Sequence, residues 1–106
     1  MPSHKDYLDY ILDQLSGLEG LTHRAMMGEY LLYDRGRVFG GIYDDRLLVK
    51  PTPAAKARLP AARQETPYPG ARPMLLVEDV DDRALLTALV EAMYDDLPAP
   101  RPKRKQ

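Results

Sequence analysis

The fold of this chain is decided by residues 22–50, which read THRAMMGEYLLYDRGRVFGGIYDDRLLVK. Apolar and aromatic residues are dense here and recur with a short period, which favours strands over helices. Turn-forming residues divide the stretch at Gly28, at Asp34-Arg35-Gly36 and at Asp44-Asp45. The pattern predicts four strands, namely Thr22–Met27, Glu29–Tyr33, Arg37–Tyr43 and Arg46–Lys50. Because the connections are short, neighbouring strands are expected to be antiparallel.

Both faces of this predicted sheet are apolar. In the third strand Val38 and Ile42 share one face, whereas Phe39 and Tyr43 share the other, because side chains alternate along a strand. An antiparallel sheet with one face in water would alternate apolar with polar residues. We therefore expect both faces to be covered, by helices or by a partner chain.

Helices flank the four strands. The three predicted helices run from a Ser3 cap to Leu18, from Thr52-Pro53 to Pro60, and from a cap at Asp79 or Asp81 to Leu97. Another strand is expected at residues 73–78, after a loop over residues 61–72. The sequence thus predicts an α+β fold of order α-β-β-β-β-α-β-α, with an antiparallel sheet of about five strands.

The composition indicates one cytoplasmic domain. The 106 residues contain no cysteine, which favours a reducing compartment, and no apolar run that would suit a signal peptide or a membrane span. Residues 1–100 hold 11 basic and 16 acidic residues, a formal charge of −5, whereas residues 101–106 hold four basic residues and no acidic one. We therefore divide the chain into a domain over residues 1–97 and a basic, flexible tail over residues 98–106. The cations of the tail are Arg101, Lys103, Arg104 and Lys105.

The sequence offers little for catalysis. Of its histidines, His4 lies near the terminus and His23 on a predicted strand, and neither Ser3 nor Ser16 has the turn context of a nucleophile. The acidic pairs lack the spacing of a calcium loop, and the glycine-rich residues 36–41 lack the lysine and hydroxyl residue of a phosphate loop. We predict that the chain is not an enzyme and has no cofactor or metal site.

A group of cations and aromatic rings is the candidate interaction surface. Its predicted members are Arg24, Tyr30, Tyr33, Phe39, Tyr43, Lys50 and Tyr68. Together with Arg35, Arg37 and Arg46, such residues also suit a stacking platform for nucleic acid. However, the acidic body is a poor general surface for phosphate backbones. The basic tail either contacts nucleic acid or an acidic partner, or serves as a solubilising end.

The segment Thr22–Tyr33 resembles the signature of the TfoX/Sxy N-terminal domain family, in which an arginine and Met-Phe-Gly-Gly precede an aromatic strand that ends in tyrosine. Gly36, Phe39, Leu47-Leu48-Val49-Lys50 and Tyr68-Pro69-Gly70 match later features of that family. The resemblance spans residues 7–97. Two positions depart from the signature: Met27 stands where phenylalanine is usual, and Glu29 where the second glycine is usual.

This resemblance implies a secretion-chaperone-like α+β fold and a regulatory role, since the family includes positive regulators of natural competence genes in bacteria. It implies no catalytic residues. Full-length members carry a helical C-terminal domain, which these 106 residues do not include.

Three functions stay open at this point. The first is a regulatory or scaffolding protein–protein interaction module that forms a homodimer, because a small sheet with two apolar faces needs cover. The second is a nucleic-acid-binding accessory protein that uses the tail and the strand-end arginines, with binding that weakens steeply with salt. The third is a small-molecule site or small enzyme, in which Arg24 and Lys50 hold an anion and Tyr68-Pro69-Gly70 forms a flap. No membrane partner is expected, and the protein partner is not identified by the sequence.

Overall fold

The computed structural model describes residues 3–98 and confirms the α+β class. The helices are α1 (Lys5–Gln14), α2 (Pro53–Arg58) and α3 (Arg83–Met93), and a 3-10 turn (Tyr94–Asp96) follows α3. The strands are β1 (Leu21–Met26), β2 (Glu29–Asp34), β3 (Arg37–Ile42), β4 (Leu47–Val49), β5 (Gln64–Glu65) and β6 (Met74–Val77). The sheet has six strands rather than about five, because two residues of the predicted loop pair with the last strand.

All strand pairs are antiparallel, and the sheet order is β1-β2-β3-β4-β6-β5. Each of the three hairpins turns over two residues with positive φ, as tight type I′ turns require. These residue pairs are Met27-Gly28, Arg35-Gly36 and Asp44-Asp45. The predicted turns are therefore confirmed, except that Asp34 is the last residue of β2 and not part of a turn.

Helices α1 and α3 cover one face of the sheet and form the core with it. The core joins Leu8 and Ile11 of α1 with Leu86 and Leu89 of α3, and all of them pack with the side chains from that face of the sheet. Leu15 and Leu18 also belong to this core, although α1 ends at Gln14 and is shorter than predicted.

A β-bulge decides which side chains of β3 reach the core. Leu32 pairs with Gly40, but Tyr33 pairs with Val38, so Phe39 is an extra residue between the two pairs. Phe39 and Ile42 are both buried in the helix-covered core. The predicted strict alternation, which placed Phe39 on the same face as Tyr43, is therefore wrong.

The helix caps agree with the prediction in one case of three. The hydroxyl of Thr52 accepts a hydrogen bond of 3.1 Å from the amide of Ala55, as expected for α2. The cap residue of α1 is His4 rather than Ser3, and its side chain makes no capping hydrogen bond. The cap of α3 is Asp82, which accepts a hydrogen bond of 3.0 Å from Leu85, and not Asp79 or Asp81.

The second face of the sheet is partly covered by the chain itself, in the loop at residues 66–73. Leu48 is fully buried although it is not part of the helix-side core. In the loop Pro67 is buried, and the ring of Tyr68 lies against Tyr43 with ring centroids 6.4 Å apart. The cover that the structure provides for this face is thus a loop and not one of the predicted helices. This loop leaves part of the face open.

Candidate binding groove on the open sheet face

A groove of about 760 Å³ occupies the uncovered part of the second face. Its floor includes Leu31, Tyr33 and Val38 of β2 and β3, which are half-buried. Tyr43 and Tyr68 form one of its walls. Volumes between about 300 and 1,000 Å³, with apolar and aromatic walls, are typical of small-ligand sites.

Among residues 3–98, three cations line this groove and no acidic residue does. Lys50 follows β4, Lys56 lies on α2, and Arg72 lies in the loop beside β6. None of the three forms an ion pair with any residue between 3 and 98. The nearby carboxylate of Glu65 is paired with Arg46 at 2.6 Å. The groove therefore combines an apolar floor with positive charge that the described residues leave unpaired.

Tyr43 contributes a neutral phenol to the groove. It is only 5% exposed, and a close approach to Gly41 lets its ring lie on the sheet, since a Cβ there would be 2.7 Å from the ring. Burial, followed by the phenol of Tyr68 and then by Glu29, raises the pKa of Tyr43 above its usual 10.0. Tyr43 hence adds hydrogen-bonding capacity and no negative charge at neutral pH.

The structure brings together four of the seven predicted surface residues. Tyr33, Tyr43, Lys50 and Tyr68 all line the groove. The remaining three lie elsewhere. Arg24 is exposed on β1, Tyr30 packs against the helix-side core, and Phe39 is fully buried, so its assignment to a surface is wrong. The predicted tail, with Arg101, Lys103, Arg104 and Lys105, lies outside the described residues.

Two groove cations, Lys56 and Arg72, were missed by sequence reasoning. They come from α2 and from the loop, and nothing in their local patterns marks them. The sequence does mark the loop that carries Arg72, because that loop contains Pro67, Pro69 and Gly70. In the structure the ring of Tyr68 holds this loop against Tyr43.

The arginines considered for nucleic-acid binding are largely engaged within the domain. Arg37 donates hydrogen bonds to the carbonyl oxygens of Tyr94 at 3.0 Å and Leu97 at 3.3 Å. Arg35 stacks on the ring of Tyr94 at 3.7 Å, and Arg46 is paired with Glu65. These contacts give the arginines structural roles, and no observation on the described residues favours the nucleic-acid platform.

An N-terminal polar cluster joins the start of the chain to two hairpin turns. The hydroxyl of Ser3 donates to the Glu29 carboxylate at 2.5 Å and accepts from the amide of Asp45 at 3.1 Å. Glu29 also accepts from the amide of Asp44 at 3.2 Å. The ring Nδ1 of His4 lies 2.6 Å from the Asp45 carboxylate. Glu29, which departs from the family signature, is thus the acceptor that ties the β1–β2 and β3–β4 turns to the N-terminus.

This cluster contains serine, histidine and aspartate, but it is not arranged as a nucleophile and base. Ser3 is hydrogen-bonded to Glu29 and Asp45 and not to His4. A nucleophile that the histidine could activate would need to hydrogen-bond to its ring. Ser16 accepts from Arg83 at 3.0 Å. No group of three His, Cys, Asp or Glu among the described residues is placed to hold a metal ion.

The contacts of this cluster shift the pKa values of His4 and Asp45. The hydrogen bond between its ring and the Asp45 carboxylate is the largest cause that raises the pKa of His4 above 6.5. The backbone amide of His4, followed by its ring, donates hydrogen bonds that lower the pKa of Asp45 below 3.8. The stabilisation that His4 contributes is complete below pH 6.5 and is lost as the pH rises through the pKa of His4 in the folded protein. The stabilisation that Asp45 contributes is complete above pH 3.8 and is lost as the pH falls through the pKa of Asp45 in the folded protein. The pair therefore stabilises the cluster fully between about pH 3.8 and 6.5.

We expect an NMR titration of the His4 ring to have its midpoint above 6.5. The substitution Asp45→Asn removes the main cause and should return the midpoint toward the usual value. Asp44→Asn is the control and should move it less, because Asp44 acts on His4 only through its charge. A midpoint that is the same in the wild type and in Asp45→Asn would contradict the contact.

The fold and the groove define a small α+β domain with helices on one face of an antiparallel sheet. The family model of the TfoX N-terminal domain matches residues 13–96. In Spirochaeta aurantia, an uncharacterized 12.7 kDa protein in the trpE 5′ region is 31% identical over 105 residues, which cover 98% of this chain and 91% of that protein. The chain belongs to the TfoX N-terminal domain family, and the predicted resemblance is confirmed. No solved structure was found to match it.

Residues 3–98 include no helix that is long and apolar enough to cross a membrane.

Proposed function

We propose that this protein is a non-catalytic regulatory module of the cytoplasm that acts by binding a protein strand along β1. The observation that carries the proposal is the exposure of β1, which lies at the edge of the sheet and is exposed at five of its six positions. An edge strand presents unpaired backbone N–H and C=O groups, which are a template for pairing with another chain. The regulatory role is carried over from the resemblance to the TfoX/Sxy family and is part of the proposal.

The two edges of the sheet differ in how they are protected. The opposite edge, β5, has two residues, and a very short edge strand offers little to pair with. In contrast, β1 pairs with β2 over six residues without a register shift, contains no proline and has one permanent charge, at Arg24. Lysines, prolines and bulges are the usual means of blocking an edge. Because β1 has none of these, it is the edge that suits a partner strand.

The tip of the adjoining hairpin adds apolar surface to this edge. Met27 is 97% exposed and Met26 is also exposed. Flexible methionine side chains adapt to varied partners and are common at binding surfaces. An exposed pair of methionines beside an open strand edge supports binding rather than a role in the core.

The proposed partner strand is β1 of a second copy of this chain. Antiparallel pairing of two β1 strands would form one continuous sheet of twelve strands, six from each copy. Such a symmetric contact requires no other protein, and it gives the expected homodimer a defined interface. The absence of cysteine from the sequence supports a reducing compartment such as the cytoplasm.

We expect light scattering at micromolar concentration to give twice the 12.0 kDa mass of one chain. In Ala25→Lys a lysine is placed on the pairing edge, so the dissociation constant should rise by about tenfold or more, equivalent to about 1.4 kcal/mol. The matched control is Ala57→Lys, the same change at an exposed position on α2, which should leave the mass unchanged. A monomer at every concentration tested, or equal effects of the two substitutions, would contradict pairing through β1.

A further inference from the structure

We infer that the groove on the second sheet face binds a small amphipathic organic acid, with its apolar body on the floor and its anionic group among Lys50, Lys56 and Arg72. The site is formed by β2, β3, α2 and the loop at residues 66–73. It does not use the exposed edge of β1. The inference therefore goes beyond the proposed function and stands or falls separately from it.

The charge of the lining selects an anion. Three positive side chains line one cavity, and none of them has an ion pair with a described residue. Like charges held near an apolar surface repel one another more strongly than in open water, because the local dielectric constant is lower. Glu65, the acidic residue of β5, is already paired with Arg46. A ligand that carries a negative group relieves this repulsion, whereas a cation would add to it.

The floor and wall select an apolar, preferably aromatic, body. Tyr33 and Val38 present half-buried side chains from neighbouring positions of β2 and β3. Tyr43 and Tyr68 lie side by side at the wall, with their ring planes tilted by 55°. Aromatic rings prefer tilted or offset partners, so a flat ligand can add a further ring to this arrangement.

The size of the cavity favours a small molecule. A volume of about 760 Å³ lies inside the range of small-ligand sites. The loop at residues 66–73 bounds the groove, and its Tyr68 is 55% exposed, so part of that ring is accessible to a ligand. The predicted flap at Tyr68-Pro69-Gly70 is consistent with this position, but the predicted anion pair of Arg24 with Lys50 is not, because Arg24 does not line the groove.

The test compares two fluorescent probes of nearly the same shape. The probe 8-anilinonaphthalene-1-sulfonate has an aromatic body and a negative group, whereas N-phenyl-1-naphthylamine has the same body without the charge. We expect the native protein to bind the anionic probe at least tenfold more tightly than the neutral one, and 1-naphthoate, a carboxylate, to displace it. Inorganic sulfate alone should compete poorly, because it has no body to occupy the floor.

Substitutions locate the binding. The double variant Lys50→Gln/Arg72→Gln removes two charge-assisted contacts and should weaken the anionic probe by about tenfold or more while leaving the neutral probe unchanged. The control is Lys5→Gln/Arg58→Gln, which also removes one lysine and one arginine, from exposed positions that do not line the groove. It should leave the binding of both probes unchanged. In Ala71→Trp the groove is filled, so both probes should be displaced.

Three outcomes would overturn the inference. These are equal binding of the two probes, absence of binding by the anionic probe, and equal effects of the two double variants. Near-UV circular dichroism of the tyrosines is recorded for every variant, so that a loss of fold is recognised and is not counted as a loss of binding. A failure here leaves the mass of the Ala25→Lys variant, and hence the proposal for β1, unaffected.

Discussion

Replacing Phe39 with alanine is expected to lower the free energy of unfolding by about 3–5 kcal/mol, the usual cost of removing a buried phenylalanine ring. Phe39 is 0% exposed and is the largest of the fully buried side chains. The bulge places it in the layer between β3 and the helices α1 and α3, so its loss leaves a cavity in the centre of the core. Domains of this size are typically stable by about 5–15 kcal/mol, so the variant should be close to unfolding.

Urea denaturation measures this change, since the midpoint falls while the slope stays constant if only stability is altered. The control is Met27→Ala, which removes a large apolar side chain at a position that is 97% exposed. It should change the free energy of unfolding by about 0.5 kcal/mol or less. If Phe39→Ala were as mild as Met27→Ala, Phe39 would have to lie on the surface, as its assignment to the candidate interaction surface implies.

The hairpins were predictable because their determinants are local. A two-residue type I′ turn needs positive φ at both central positions, and glycine and aspartate adopt this conformation more easily than most residues. Gly28, Gly36 and the Asp44-Asp45 pair mark the three turns in the sequence itself. Thr52 before Pro53 marks the start of α2 in the same way.

The bulge in β3 was not predictable from alternation, because it depends on the register with a neighbouring strand. Residues 37–42 read as a regular strand, and only pairing with β2 reveals that Phe39 is inserted between two pairs. One inserted residue moves the side chains that follow it to the opposite face. For this reason strict alternation places Phe39 on the same face as Tyr43, although it is a residue of the helix-side core.

The candidate groove shows the same division between local and long-range information. The sequence predicts the strands and their apolar faces, and it therefore predicts three residues that line the groove, namely Tyr33, Tyr43 and Lys50. Lys56 and Arg72 line the groove only because the tertiary fold brings α2 and the loop beside the strands. The strand β5 was missed for a similar reason, since two residues have no periodicity to detect.

The two faces of the sheet differ in what they contact. The face covered by α1 and α3 supplies the core, and the other face keeps a groove because only a loop covers it. Two glycines of β3 allow close approaches, one by the backbone of a neighbouring strand and one by an aromatic ring of the groove. Gly40 lies against the backbone of β4, and Gly41 lies beneath the ring of Tyr43.

The substitution Gly40→Ala is expected to destabilise the domain by about 1–3 kcal/mol or more, because an added methyl group has no space. A Cβ at this position would overlap the carbonyl oxygen of Leu48 and would lie 2.9 Å from the Cα of Val49. Both atoms belong to the backbone of β4, which cannot rotate away as a side chain could. The strand β4 is held between β3 and β6, so relief requires a shift of a paired strand.

The matched control is Gly17→Ala, where the nearest atom to an added Cβ is the Thr87 hydroxyl at an ordinary 3.5 Å. This change should be neutral or stabilise the domain by about 0.4–1 kcal/mol, because alanine restricts the unfolded chain. Equal urea midpoints for the two variants would contradict the close approach of β3 and β4. Since Lys50 directly follows β4, the shift that Gly40→Ala forces also moves a groove cation. The close contact at Gly40 therefore supports the stability of the sheet and the position of the positive charge above it.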